Sequence, residues 1–541
     1  MNNPAQPASK SANRWPPQIK YIIGNEGCER FSYYGMLSIL AGYISGDVLK
    51  GGLGKTDDDT TTIIHLFKSV NYFTPLLGAW LSDKIIGRYY TILWVSLLYC
   101  LGHGILACSD FAGGVEGKAL CLYAGLTCIA FGSGGIKPCV SAFMGDQFKP
   151  DQSHLLQKAY GAFYWSINFG SFFSFLVIPW IKNHHGYSLA FLVPGILMGL
   201  ATFIFWLGTG KYTRVPPARE TNSGGFFPVF LHAYAAKKDS SLAPLLNILT
   251  ALGAPIAVIV GLATVSFAPL TPLVRGIGWA TLGLMACWYL SVVVTSLLRK
   301  FDAGDTFWSG ASGRFSETEV TAARSVSPIL FVFALVPVFW SLFDQTNSTW
   351  VLQGGRMVNC NLFGFQIGAD EMQSMNPLIV MVLVPLFTLG VYPKLGRLAS
   401  PLRRMSYGMF LASSSYLIVA TIQHRIENGA QLNIMWQTVP YLVLTAAEVL
   451  ISTTGLEFAF REAAPQMKSL IMSFWLLTVT VGNLLVSGVT RMFSGAAGSH
   501  GESVTTGRFL MYAGLTFVVA ILFSVVAASY QYRDRASAEG R

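Results

Sequence analysis

Apolar runs of about twenty residues recur from one end of the chain to the other, with short polar loops between them. They lie near 21–45, 62–82, 90–109, 118–144, 156–180 and 187–209, then near 245–270 and 276–298. Six more follow near 326–350, 374–393, 405–423, 434–460, 467–490 and 508–531. A helix rises 1.5 Å per residue, so about 20 residues cross the roughly 30 Å hydrocarbon core of a bilayer. The pattern predicts an all-α polytopic membrane protein with roughly fourteen transmembrane helices, grouped as six, two and six. It divides the chain into an N-terminal six-helix bundle over 21–210, a linker with a two-helix insert over 211–324, and a C-terminal six-helix bundle over 325–532. The insert itself spans about 245–298.

Composition supports that reading. Of 541 residues, 52% are hydrophobic and 12% charged, half the roughly 25% of a soluble chain whose surface must face water. The net charge of +10 raises the question of nucleic acid, but its distribution answers it. With the N-terminus in the cytoplasm, the inside segments hold most of the basic residues, among them Lys84, Arg88, Lys211, Arg214, Lys237, Lys238, Arg299, Lys300, Arg403, Arg404, Arg461 and Lys468. The outside loops hold only Lys50, Lys55, Lys118, Lys182, Arg275, Arg356, Arg425, Arg491 and Arg508. This positive-inside asymmetry predicts a multi-pass protein of a plasma membrane, a bacterial inner membrane, with both termini cytoplasmic and no nucleic-acid partner. The first 20 residues are polar, with no apolar segment of the signal-peptide kind.

Several chemistries lack the residues they need. The eight cysteines lie mostly within apolar runs and show no metal-ligand spacing, so no metal site is expected. There is no P-loop string, which makes any transport secondary rather than ATP-driven. A polytopic enzyme would need a cluster of acids or histidines on an interfacial loop, and the loops offer none. Asp57, Asp58 and Asp59 read as a solvated turn. A carrier that is not an enzyme, needs no cofactor and has no obligate protein partner is the reading left.

Charges inside the spans give the candidate site, because each costs about 2.5–3.5 kcal/mol on insertion scales. The first run contains EGCERFSYYG, whose Glu26, Glu29, Arg30, Tyr33 and Tyr34 fall on one side of a helix. His65, Lys68 and Tyr72 share a face of the second. Lys137 sits in FGSGGIKP, where glycines let backbones approach closely. Asp344 lies in FWSLFDQTNS, and Glu448 and Glu457 in TAAEVLISTTGLEFAF. Glu457 has Arg461 four residues on as a local partner. Lys137, Asp344 and Glu448 have no opposite charge within a turn, so their partners must come from other helices.

Taken in order, these strings resemble the proton-dependent oligopeptide transporter family (POT/PTR), a branch of the major facilitator superfamily. The resemblance rests on ExxER (Glu26, Glu29, Arg30), GAWLSDKIIGRYY with Gly78, Asp83, Gly87 and Arg88, the lysine of the fourth helix, FYWSINFGS at 163–171, QSMNP in the eighth main helix, and the Glu448 and GLEF segment. It covers nearly the whole chain, and two extra helices between the halves match bacterial members. It implies a major facilitator fold with a site near mid-membrane and alternating access. The function implied is a proton-coupled symporter that imports di- and tripeptides; a nitrate carrier or a transporter of another small or peptide-like solute is the alternative.

Site roles follow from the resemblance. Arg30 and Lys137 would meet the substrate carboxylate or the ExxER acids. Tyr33, Tyr34, Tyr72 and Asn168 would bond the peptide backbone. Asn376 and Glu448 would face its amine, and Trp340 and Trp475 would wall the side-chain pockets. Glu26, Glu29, Arg30, His65, Lys137 and Asp344 would couple protons, with His65 equally readable as a packed structural histidine. Two departures stand out. Leu37 occupies a place where many members have arginine, and Phe343–Asp344 replaces a pair of acids. The familiar extracellular bridge is therefore not expected, leaving Arg30 or His65 as partner for Asp344, or a protonated acid.

Overall fold

The computed structural model describes residues 15–149, 152–217, 225–235, 253–297, 308–362, 364–396, 400–494, 503–530 and 532. Lys237, Lys238, Arg299, Lys300 and the first part of the insert, 245–252, lie outside them. Among the described residues nine helices are long and apolar enough to cross a membrane, or ten when one bent pair counts as a single span. Among the described residues the architecture is helical apart from a small antiparallel hairpin, Cys360–Leu362 with Phe365–Ile367, in a loop between spans.

The helices Ile19–Ser45 and Asp57–Leu81 have spanning length, and the polar and ionisable residues read above keep them below that apolarity. Ser153–Leu207 joins two predicted spans into one run broken at Gly186, whose φ of +83° is a left-handed conformation open to glycine. Glu317–Phe333 and Pro337–Asn347 meet at a 46° bend and together form the span that carries Asp344.

The chain forms two compact units. One holds Met1–Gly54 and Phe73–Arg219; the other holds Lys55–Tyr72 and Glu220–Arg541. The first part of the helix Asp57–Leu81 thus belongs to the second unit.

In the first unit small residues set how near the helices come. A Cβ on Gly170 would lie 2.6 Å from the carbonyl oxygen of Gly27, and one on Gly35 would lie 2.8 Å from Ile178. A Cβ on Gly78 would likewise lie 2.6 Å from the Cα of Gly135. Apolar tails in a bilayer give helices no hydrophobic reason to associate, so such close backbone contact supplies the packing energy. It also fixes the helix faces that bear Glu26, Glu29 and Lys137.

In the second unit a continuous apolar core runs through Phe339, Trp350, Tyr416, Leu444 and Ile471, and the insert helix Pro272–Leu297 adds Trp288, Tyr289 and Val292 to it. The segment at the start of the helix Asp57–Leu81 is tied into this unit by polar groups. Asp57 pairs with Arg356 at 2.6 Å, Asp58 accepts from the Ser494 hydroxyl at 2.6 Å, and Thr61 bonds Ser503 at 2.9 Å. The acidic triplet therefore starts a helix, with Asp57 and Asp58 held by partners and Asp58 buried, while Asp59 keeps the exposure expected of a solvated turn. Acids at that end also favour the helix dipole.

Candidate functional site

The first unit gathers the ExxER residues around one guanidinium. Arg30 Nε lies 2.8 Å from an oxygen of Glu26 and 2.8 Å from one of Glu29, with hydrogen-bond alignment toward Glu26. All three side chains are buried, Glu29 completely. One cation against two acids leaves this cluster with a formal excess of negative charge, which a proton or another cation can relieve. Lys137 brings a second cation close by, its Nζ 4.6 Å from the centre of the Tyr33 ring. Tyr33 and Tyr34 meet edge to face at 5.2 Å. Asn168 donates to the Tyr164 carbonyl one turn back, which ties its amide to its own helix.

The second unit holds a longer polar string. Lys68 Nζ donates to Asp344 Oδ1 at 2.7 Å and also to Asn347. The other oxygen of Asp344 accepts from Asn483 Nδ2 at 2.6 Å. Asn483 Oδ1 lies 2.7 Å from His65 Nδ1, and His65 Nε2 lies 2.9 Å from the Ser348 hydroxyl. Every group from Lys68 to Ser348 is buried. The partner of Asp344 is therefore Lys68, from the second helix, rather than Arg30 or His65. His65 is one carboxamide away. With Nδ1 donating to Asn483, Ser348 can donate to Nε2 of a neutral ring or accept from it in an imidazolium, so this geometry holds either charge state.

Local backbone puts these groups in position. Asp344–Asn347 is a 3-10 turn at the end of Pro337–Phe343, a departure of the kind found at functional hinges. Asn376 donates to Glu448 Oε2 at 2.7 Å and to Thr445 at 3.1 Å, bringing together the two residues expected to face an amine. Glu448 ends Thr438–Glu448, and a π-helical turn, Val449–Thr453, follows it. Trp340 and Trp475 meet edge to face at 6.1 Å, both mostly buried, and a side chain on Gly455 would collide with Trp475. Tyr72 packs half-buried against the same core.

Three polar groups in or beside the clusters escaped the sequence reading. Asn483 carries no charge and sits in an ordinary apolar helix, so only its three-dimensional neighbours reveal it. Asn25, one turn before Glu29, is buried with neither amide atom bonded among the described residues. His103 stacks on Tyr99 at 5.1 Å and bonds Ser32 at 2.9 Å. Its signal was a histidine inside an apolar run.

Comparison with known proteins places this arrangement. A sequence model of the POT family matches residues 89–505. Human solute carrier family 15 member 2 is 31% identical over 458 residues, covering 82% of this chain and 54% of the carrier. Peptide transporter family 1 of Drosophila melanogaster is 32% identical over 427 residues, covering 77% of this chain and 49% of that protein. The chain thus spans about half the length of the curated relatives it matches. Among solved structures, an in meso crystal structure of the POT family transporter PepTSo superposes with a TM-score of 0.80 at 39% identity, covering 96% of this chain and 99% of that one. An auto-inhibited POT family peptide transporter gives 0.80 at 38% identity, covering 95% and 98%. From the fold, the ordered motifs and these matches, the chain belongs to the POT family.

Proposed function

We propose that this protein is a proton-coupled symporter that imports di- and tripeptides by alternating access. The observation that carries the reading is the buried string Lys68–Asp344–Asn483–His65, in which an acid and a histidine share one set of bonds inside a membrane-spanning unit. Such groups are costly in hydrocarbon, and a site that gains and loses a proton repays the cost in function. Peptide chemistry fits what each unit offers by itself. The first carries Arg30 and Lys137 with Tyr33 and Tyr34, suited to a carboxylate and a backbone. The second carries Glu448 held by Asn376, suited to an ammonium group.

Proton coupling is assigned to Glu26, Glu29, Arg30, His65, Lys137 and Asp344, with Lys68 and Asn483 added. Peptide binding is assigned to Arg30, Tyr33, Tyr34, Tyr72, Lys137, Asn168, Trp340, Asn376, Glu448 and Trp475. The bundles run over 21–210 and 325–532 with the insert between them. Both termini are cytoplasmic in a plasma membrane, a reading supported by the basic residues of the inside loops. The proton gradient drives transport without a cofactor. The test is uptake of labelled dialanine into liposomes holding the purified protein, with and without an inward proton gradient. Accumulation above equilibrium only with the gradient is expected; equal uptake in both would remove the coupling.

A further inference from the structure

At one end of the second unit a cavity of about 880 Å³ opens between three helices. Arg403 and Arg404 stand at the start of Pro401–Glu427, Glu457 in the first turn and Arg461 in the last turn of Thr454–Glu462, and Tyr530 and Tyr532 just beyond Thr506–Ser529. Three arginines against one glutamate give the wall a formal excess of two positive charges. Glu457 holds Arg404 at 2.6 Å but Arg461 only at 3.9 Å, and the Arg461 side chain is 53% exposed. Arg404 is buried, its guanidinium lies 4.5 Å from the Tyr392 ring centre, and its Nε has no acceptor among the described residues. Two further guanidinium groups stand beside the Arg404–Glu457 pair, and arginine meets phosphate oxygens in a forked, two-bond way.

From this geometry we propose that the cavity binds a phosphate-ester anion, supplied by an acidic phospholipid of the cytoplasmic leaflet. The leaflet rests on the orientation proposed above; the binding does not. Two features favour a lipid over a soluble anion. Phe410, Tyr407, Ala527 and Ala528 line the cavity beside the arginines, so it offers apolar surface to a glycerol and the tops of acyl chains. Tyrosines mixed with arginines are also the composition of a membrane–water interface, and basic pockets between helices on the cytoplasmic side suit anionic head groups. The bound head group shares Arg461 and Arg404 with Glu457 and fastens the ends of three helices together.

The test is thermal unfolding of the full chain in detergent, titrated with short-chain phosphatidylglycerol, short-chain phosphatidylcholine or inorganic phosphate. Phosphatidylglycerol should raise the midpoint well above the effect of phosphatidylcholine, with inorganic phosphate giving little. Replacing Arg403→Gln and Arg461→Gln together should raise the half-saturating lipid concentration about tenfold or more, the scale of bonds to charged groups. The charge-keeping pair Arg403→Lys and Arg461→Lys should retain most of the response, which separates lost binding from lost folding. Equal responses to the two lipids, or a glutamine variant that responds like the wild type, would overturn the site. A response to inorganic phosphate as large as that to phosphatidylglycerol would overturn the lipid as its source. None of these readouts involves transport, so the site and the symporter reading can fail separately.

Discussion

Glu448→Gln removes the charge that the proposed site offers to a peptide amine while keeping the bond from Asn376 possible. Binding of dialanine should weaken by about tenfold or more, because a bond between charges becomes one with a neutral partner. N-acetyl-dialanine, which has no ammonium group, should change little, and the pair of ligands acts as the second axis of a mutant cycle. Equal losses for both would assign Glu448 to structure or proton handling. Lys68 allows a stricter test, since it and Asp344 are both buried. Lys68→Met strands a carboxylate in the core and should cost about 3–5 kcal/mol, read as thermal stability in detergent. Adding Asp344→Asn should recover most of that loss; a double variant no more stable than the single one would mean the pair is not the coupling unit. Lys68 was visible in the sequence as a neighbour of His65 on one face, but its partner was not, because Asp344 lies 276 positions away.

The close helix contacts make a prediction of their own at the scale of elements. A methyl group at Gly170 meets the Gly27 backbone, which no rotamer change can relieve, so Gly170→Ala should destabilise by about 1–3 kcal/mol. Gly199, further along the same broken helix, has open space around it, and Gly199→Ala should be neutral or stabilising by up to about 1 kcal/mol. Matching thermal shifts for the two would show that the contact is slack. Hydropathy finds apolar runs because hydrocarbon demands length and apolarity, and nine or ten helices among the described residues meet both. It could not find the 3-10 turn at Asp344 or the π turn after Glu448, since neither has a periodicity of its own. The hairpin at Cys360–Leu362 escaped for the same reason: three residues are too few to show an alternation.

For the molecule as a whole, the issue is where pH acts. His65→Gln keeps polar contacts to Asn483 and Ser348 within reach but cannot change charge between about pH 5 and 8, as an imidazole does. Gradient-driven dialanine uptake should fall and its pH profile flatten in that window, with thermal stability near that of the wild type. An unchanged profile with lowered stability would make His65 a structural residue. Family and fold were legible because ExxER, FGSGGIKP and FYWSINFGS each fix residue types that packing or charge demands. The proposed site was legible where it uses charge and hidden where it uses amides: Asn376 was named only with the family motif, and Asn483 and Asn25 were not named at all.

Asn483 has a consequence for how the string can work. A carboxamide accepts on its oxygen and donates from its nitrogen, and it has no ionisable proton to pass along. It therefore behaves as an insulator set between two terminals. Asp344 and His65 can sense each other's charge through the orientation of the amide, yet a proton on one has no direct route to the other. In the proposed coupling, each would load and unload by its own path. Asn483→Asp would swap the insulator for a conductor, joining Asp344 and His65 into one wire. The expected result is a proton leak into liposomes without peptide, followed with an internal pH dye; a variant as tight as the wild type would show that the amide insulates nothing.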